Sequence, residues 1–217
     1  PLYYLLLLCY LFLKQTGIED PEGFLFDYEL PIWSYFAYIQ NYMMAYFHTY
    51  GSRILTPTWS LGVDEQFYFM IPLVIFFFKK NWIPYLVLPL IIMAPIFRGS
   101  TDLYYMKILP FQMRMDSFFV GVLIAYLISE KDLIRIYKAK IKWMLSIIFL
   151  LITLILVLTF DHSIGVLDHT LFNLLYGLLL IAVLSYRESF LGAFLRHKVL
   201  RFFGLVSYGV YLFHQFI

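Results

Sequence analysis

The sequence predicts an all-α membrane protein, a polytopic bundle of about seven transmembrane helices with one further helix at the interface. Three observations carry that reading. Hydrophobic residues make up 62% of the chain and charged residues 14%, whereas a soluble domain is about one quarter charged. Apolar runs recur at spanning length, which takes roughly 17–25 residues for about 30 Å of hydrocarbon. Lysine and arginine gather in a few short connectors, as they do in cytoplasmic loops.

Taken in order, the expected spans lie near 2–13, 60–78, 82–97, 111–128, 143–160, 170–186 and 202–217. Lys79 and Lys80 close the second. The connector from Lys131 to Lys142 carries five basic residues and that from Arg187 to Arg201 carries four. With these three clusters inside, residues 14–59, 98–110 and 161–169 lie outside. The first of these outer segments is acidic at Glu19, Asp20, Glu22, Asp27 and Glu29. Within it, Ile32 to Phe47 is apolar but rich in tyrosine, and it holds Gln40 and Asn41. A full span here would reverse every later orientation. The segment therefore reads as a helix lying at the interface or re-entering part-way, where aromatic rings are favoured. Of sixteen Lys/Arg, eleven fall inside and four outside, so the spans hold only Asp64, Glu65, Arg114 and Asp116 as charges. No repeat or linker divides the chain, and residues 1–217 read as a single membrane domain. Its first residues are already apolar with no basic leader, and both ends read as cuts in a longer protein.

The single cysteine, Cys9, excludes an internal disulfide and a Cys-based metal site. His48, His162, His169 and His197 lie in predicted loops or the interfacial segment without metal-ligand spacing, so no metal is expected. No phosphate loop, nucleophile elbow or nucleic-acid motif occurs. The basic connectors read as topology signals, although a phosphate-bearing coenzyme would be drawn to that side.

Three tracts can carry chemistry. The first runs from Thr58 through Trp59-Ser60-Leu61-Gly62-Val63-Asp64-Glu65-Gln66-Phe67-Tyr68 into an apolar helix. Acids at membrane depth are costly, by about 2.5 kcal/mol or more each at a helix centre. Their plain reading is a capped helix start, with Thr58 or Ser60 as N-cap and the acids complementing the helix dipole. Their functional reading places Asp64 and Tyr68 on one inward face, to orient a donor or hold a substrate hydroxyl. The second tract is Arg114-Met115-Asp116, with Gly121 and Ala125 beyond it. Residues two apart on a helix face apart, so Arg114 and Asp116 seek separate partners, and Asp64 or Glu65 suits Arg114. Gly121 and Ala125 form a small-residue face for close helix packing. The third tract places Ser207, Tyr211 and His214 on one face of the last helix. Such a stripe serves interhelical hydrogen bonding or, through His214, proton transfer.

Together the tracts resemble integral-membrane acyltransferase family three, the O-acyltransferases of cell-surface and secreted carbohydrates. That family shows Trp-Ser-Leu-x-x-Glu-x-x-Phe-Tyr, then Arg-x-Asp with a Gly-x-x-x-Ala helix, then Ile-Ser-Tyr-x-x-Tyr-x-x-His. Here these are Trp59 to Tyr68, Arg114 to Asp116 with Gly121 and Ala125, and Val206-Ser207-Tyr208 with Tyr211 and His214. The family's ten-span layout fits if two spans precede Pro1 and one follows Ile217. Two departures matter. The signature Glu is matched by Asp64, with Glu65 directly behind, so either can take its role. The family's presumed catalytic histidine lies in an Arg-(ten residues)-His motif outside residues 1–217, so this stretch by itself is expected to be inactive.

The resemblance implies transfer of an acyl group, acetyl by preference, from cytoplasmic acyl-CoA to a hydroxyl of an envelope or secreted glycan. It implies no bound cofactor, acyl-CoA as co-substrate, a multi-pass place in a bacterial inner membrane, and lipid and carbohydrate but no nucleic acid as partners. Asp64, Glu65 and Arg114 are the expected catalytic residues. Trp59, Ser60, Tyr68, Asp116, Ser207, Tyr211 and His214 are the expected substrate contacts. A transporter for a polar small molecule is the alternative, since buried charges also mark permeation paths, but no inverted repeat is visible. A non-catalytic scaffold is a second.

Overall fold

The computed structural model describes residues 2–17, 26, 29–129, 147, 150–151, 168–185 and 190–216. Among these it is all-helical, with ten α-helices. They are α1 (Leu2–Gln15), α2 (Ile32–Phe36), α3 (Gln40–Tyr46), α4 (Thr58–Phe77), α5 (Ile83–Gly99), α6 (Tyr104–Ile108), α7 (Met115–Ser129), α8 (Asp168–Ser185), α9 (Phe190–Leu195) and α10 (Lys198–Phe213). Short 3-10 turns precede α4, α5 and α7, and one at His214–Phe216 follows α10.

The expected spans at 2–13, 60–78, 82–97, 111–128, 170–186 and 202–217 each coincide with a helix, shifted by a few residues at the ends. The expected span 143–160, apart from three helical residues, and the basic connector 131–142 lie outside the described residues. Two stretches are long and apolar enough to cross a membrane, Arg53–Phe77 and Lys80–Gly99. Only 11% and 22% of their most apolar windows are buried within the chain. Phe69, Phe76, Tyr85 and Ile96 on these stretches point outward from the chain. Three more apolar helices, Leu2–Gln15, Met115–Ser129 and His169–Ile181, are shorter.

The described helices gather into two compact units. The first comprises Pro1–Leu73, Thr101–Phe111 and Lys198–Ile217. Its core joins Leu6, Leu7 and Tyr10 of α1 to Tyr35, Met44, Leu55, Leu61, Leu109 and Leu212. Here the expected single helix over 32–47 is corrected. The chain forms α2 and α3, each too short to span, because α2 is closed after Phe36. Ile39 N donates to Ser34 O at 2.9 Å and Tyr38 N to Tyr35 O at 3.3 Å. That is the helix-ending pattern in which the residue at the left-handed position is usually glycine. Here it is Tyr38, at φ 55°. The end of α3 repeats the device, with Thr49 N donating to Met44 O and His48 at φ 53°.

The second unit comprises Val74–Ser100 and Gln112–His197, and α5, α7 and α8 pack together in it. Val87, Ile91, Ala94 and Arg98 recur every three or four residues on α5 and are buried against this partner face. One close helix approach runs through Gly177 of α8, where a Cβ would come within 2.8 Å of Val120 Cγ1 and 3.0 Å of Ile124 Cδ1. Toward α8 the expected packing face at Gly121 and Ala125 is thereby corrected. Among the described residues both are exposed, and nothing lies within 4 Å of a Cβ built on Gly121. Residues 120 and 124 lie one position back, about 100° around the helix, and they carry the contact.

Candidate functional site

The first tract begins α4, but not as an N-cap. Thr58 and Ser60 donate their hydroxyls backward, to Leu55 O at 2.5 Å and Pro57 O at 3.2 Å. With the helix starting at Thr58, Asp64 and Glu65 sit in its second turn. The dipole's effect falls off within the first turn, so helix-end electrostatics do not account for two acids there.

Around these acids the first unit assembles a polar seam. Asp64 is half-buried, and Glu65 is exposed at a pocket of about 380 Å³ that it lines with Ala37, Tyr38, Gln66 and Phe69. Gln66 Nε2 donates to Tyr38 O at 2.7 Å and to Asn41 Oδ1 at 2.8 Å. Asn41 Nδ2 donates to Leu109 O at 3.1 Å. Gln40 is fully buried and its Nε2 donates to Thr58 O at 2.7 Å. Gly62 lets this layer close, since a Cβ there would lie 3.2 Å from both the Gln40 amide and Tyr38 O. The Tyr38 ring stacks on Tyr3, with centroids 4.8 Å apart. Burial first, then its hydrogen bond with Tyr4 and the charge of Glu65, push the Tyr38 phenol above the ordinary tyrosine range. It is therefore a neutral hydroxyl at any physiological pH. Tyr208 of α10 lies within electrostatic reach of both Glu65 and Asp64.

The first and third tracts meet. With the Ser60 proton on Pro57 O, Tyr211 Oη donates to Ser60 Oγ at 2.6 Å, and it lies 3.1 Å from the same Pro57 O. His214 falls in the 3-10 turn after α10 rather than on the helix. Its Nδ1 donates to Tyr211 O at 2.7 Å, which leaves Nε2 to accept from Gln215 Nε2 at 3.0 Å. Gln215 Oε1 accepts from Arg53 Nε at 3.2 Å. Ser207 is exposed and donates within its own helix to Gly204 O. Trp59 is half-buried against the core of this unit. Tyr68 is 61% exposed, so the inward face expected for Asp64 and Tyr68 is corrected. The helix rotates Tyr68 outward and brings Gln66 inward.

The second tract lies in the other unit and has a partner that the sequence did not announce. Asp116 is fully buried and paired with Arg98, itself 2% exposed. Arg98 Nη2 donates to Asp116 Oδ2 at 2.7 Å and Nη1 to Oδ1 at 3.3 Å. Thr170 Oγ1 donates to Oδ2 at 2.6 Å and Ser117 N to Oδ1 at 3.0 Å. Arg98 Nη1 also donates to Met113 O. The sequence puts Arg98 in an outer turn; it is instead the last buried position of α5. Asp116 is thus committed to holding α5, α7 and α8 together. Arg114 is half-buried just before α7, and its expected pairing with Asp64 or Glu65 joins residues of separate units.

Sequence reasoning missed Tyr38, Gln66, Asn41, Arg98 and Thr170. The amides had a signal, since polar side chains inside apolar runs need partners just as acids do. Arg98 had none, because a cation at a span's end is ordinarily solvated.

The sequence matches the family described as "Acyltransferase domain" over residues 2–217. Among curated proteins it is similar to the peptidoglycan O-acetyltransferase OatA of Listeria monocytogenes, 28% identical over 208 residues. That alignment covers 82% of this chain and 32% of the relative, so the chain spans about one third of that protein's length. No solved structure matches it.

Proposed function

The chain belongs to the acyltransferase-domain family, and from that membership we propose that it serves O-acetylation of an envelope glycan from acetyl-CoA in a multi-pass protein of the bacterial cell membrane. The Listeria relative's name makes peptidoglycan the first acceptor to test. The observation that carries the reading is the seam in the first unit. It sets Glu65 at a pocket beside Asp64, with the Tyr38 phenol and the Gln66 amide around it.

In the proposed reaction the acceptor oxygen attacks the thioester carbonyl as a base removes its proton. The C–O bond forms, the C–S bond breaks, and the thiol leaves with a proton. Asp64 or Glu65 orients and charge-stabilises the histidine base that the family resemblance implies. Ser60, Tyr211 and His214 form the polar wall at the meeting of α4 and α10. Trp59 and Tyr68 contribute aromatic surface, and Ser207 an exposed hydroxyl. The transporter alternative finds no favour in the family match.

Acetyl transfer from acetyl-CoA to purified peptidoglycan tests this, using the intact protein in membranes. Asp64→Asn and Glu65→Gln are assayed separately. Loss of the acting carboxylate costs about a hundredfold in rate. Full activity in both variants removes the carboxylates from the mechanism.

A further inference from the structure

Tyr38 is the residue of this site whose conformation packing alone does not explain. Its backbone holds φ 55° at a helix-ending position that glycine fills without strain. A bulky residue persists there only where the surroundings over-determine it, and such places cluster at functional sites. Gln66 supplies that constraint by donating to Tyr38 O, and Asn41 holds Gln66 in turn. The consequence is a Tyr38 side chain that lines the pocket of Glu65.

The pocket's chemistry is specific. Its lining offers one carboxylate, one phenol, one amide and the faces of Tyr38 and Phe69, and it contains no cation. Asp64 precedes Glu65 in the chain but is not part of this lining. Such a site repels the phosphates of a coenzyme and suits a neutral pyranose, with hydroxyls to Glu65 and the phenol and its C–H face on an aromatic ring. At about 380 Å³ it has room for a sugar ring. Resting on the transferase reading, we propose that this pocket is the acceptor-sugar subsite. Tyr38 contacts the sugar, and Gln66 is a positioning residue that acts through the Tyr38 backbone.

The test uses the intact protein, acetyl-CoA, and disaccharide fragments released from peptidoglycan by a muramidase. Tyr38→Phe keeps the ring and loses the hydroxyl. It raises KM for the fragments about tenfold, the effect of one hydrogen bond, and leaves kcat and KM for acetyl-CoA within about twofold. Gln66→Met moves the same parameter, and the double variant is no worse than the poorer single one, because one residue acts through the other. A measurement on the unaltered protein removes dependence on variant folding: the fragments, but not acetyl-CoA, protect Tyr38 from hydroxyl-radical oxidation, mapped by mass spectrometry.

Acetyl transfer with unprotected Tyr38 and unchanged KM in Tyr38→Phe overturns the subsite and leaves the transferase reading intact. Protection of Tyr38 without any acetyl transfer overturns the transferase reading and keeps a glycan site. Absence of both protection and transfer overturns both.

Discussion

Removing the Asp116 carboxylate isolates a buried guanidinium. In the folded chain Asp116 is fully buried and accepts from Arg98 at 2.7 and 3.3 Å, from Thr170 at 2.6 Å and from Ser117 N at 3.0 Å. In Asp116→Ala, Arg98, whose side chain is 3% exposed in the folded chain, loses its counter-charge and keeps neutral partners such as the Met113 carbonyl and the Thr170 hydroxyl. Breaking one side of a buried ion pair costs about 3–5 kcal/mol. For a chain of this size each kcal/mol lowers the melting temperature by about 2–4 °C, so a fall of about 6–20 °C is expected. The double variant Arg98→Met with Asp116→Leu recovers most of that loss. Desolvating two charges offsets much of their attraction, and apolar groups of similar volume replace them at little net cost. Thermal unfolding of the detergent-solubilised protein measures both. A melting temperature for Asp116→Ala within about 2 °C of the unaltered protein, or a double variant as unstable as the single, refutes the account. Because the carboxylate is sealed, activity lost in Asp116→Ala should track folded protein. A fully folded, inactive variant would return Asp116 to substrate binding.

Three further predictions follow from packing and backbone geometry. Gly177→Ala drives a methyl to within 3 Å of Val120 and Ile124 and should cost about 1–3 kcal/mol, partly restored by Val120→Ala. Gly121→Ala meets nothing within 4 Å among the described residues and should instead gain up to about 1 kcal/mol from helix propensity; thermal unfolding that ranks the two glycines equally would contradict the α7–α8 contact. His48→Gly relieves the left-handed residue at the end of α3 and should raise stability by about 0.5–1 kcal/mol in the same assay, less than an ideal gain because the ring contact with Tyr105 is lost. Ser60→Ala and Tyr211→Phe should couple by about 0.5–1.5 kcal/mol in a double-mutant cycle, and strict additivity would deny their hydrogen bond.

The sequence by itself determined the class of this protein. Low charge and recurrent apolar runs dictate helices, because backbone polar groups away from water must be satisfied within each segment. The ordered tracts at Trp59, Arg114 and Ser207 pointed to the acyltransferase family without any coordinates. Partners were decided by tertiary structure alone. Helical periodicity states which face of α5 or α7 is apolar, not which residue will sit opposite. Hence Arg98 finds Asp116 across 18 positions and Ser60 finds Tyr211 across 151. The same limit hid Gly177 behind Gly121, since a small residue matters only where a neighbouring helix arrives. Tyr38 shows the limit most plainly. No local preference puts tyrosine in a left-handed turn. Gln66, Asn41 and the space above Gly62, with the Tyr3 ring stacked on its own, all set on other helices, hold it there.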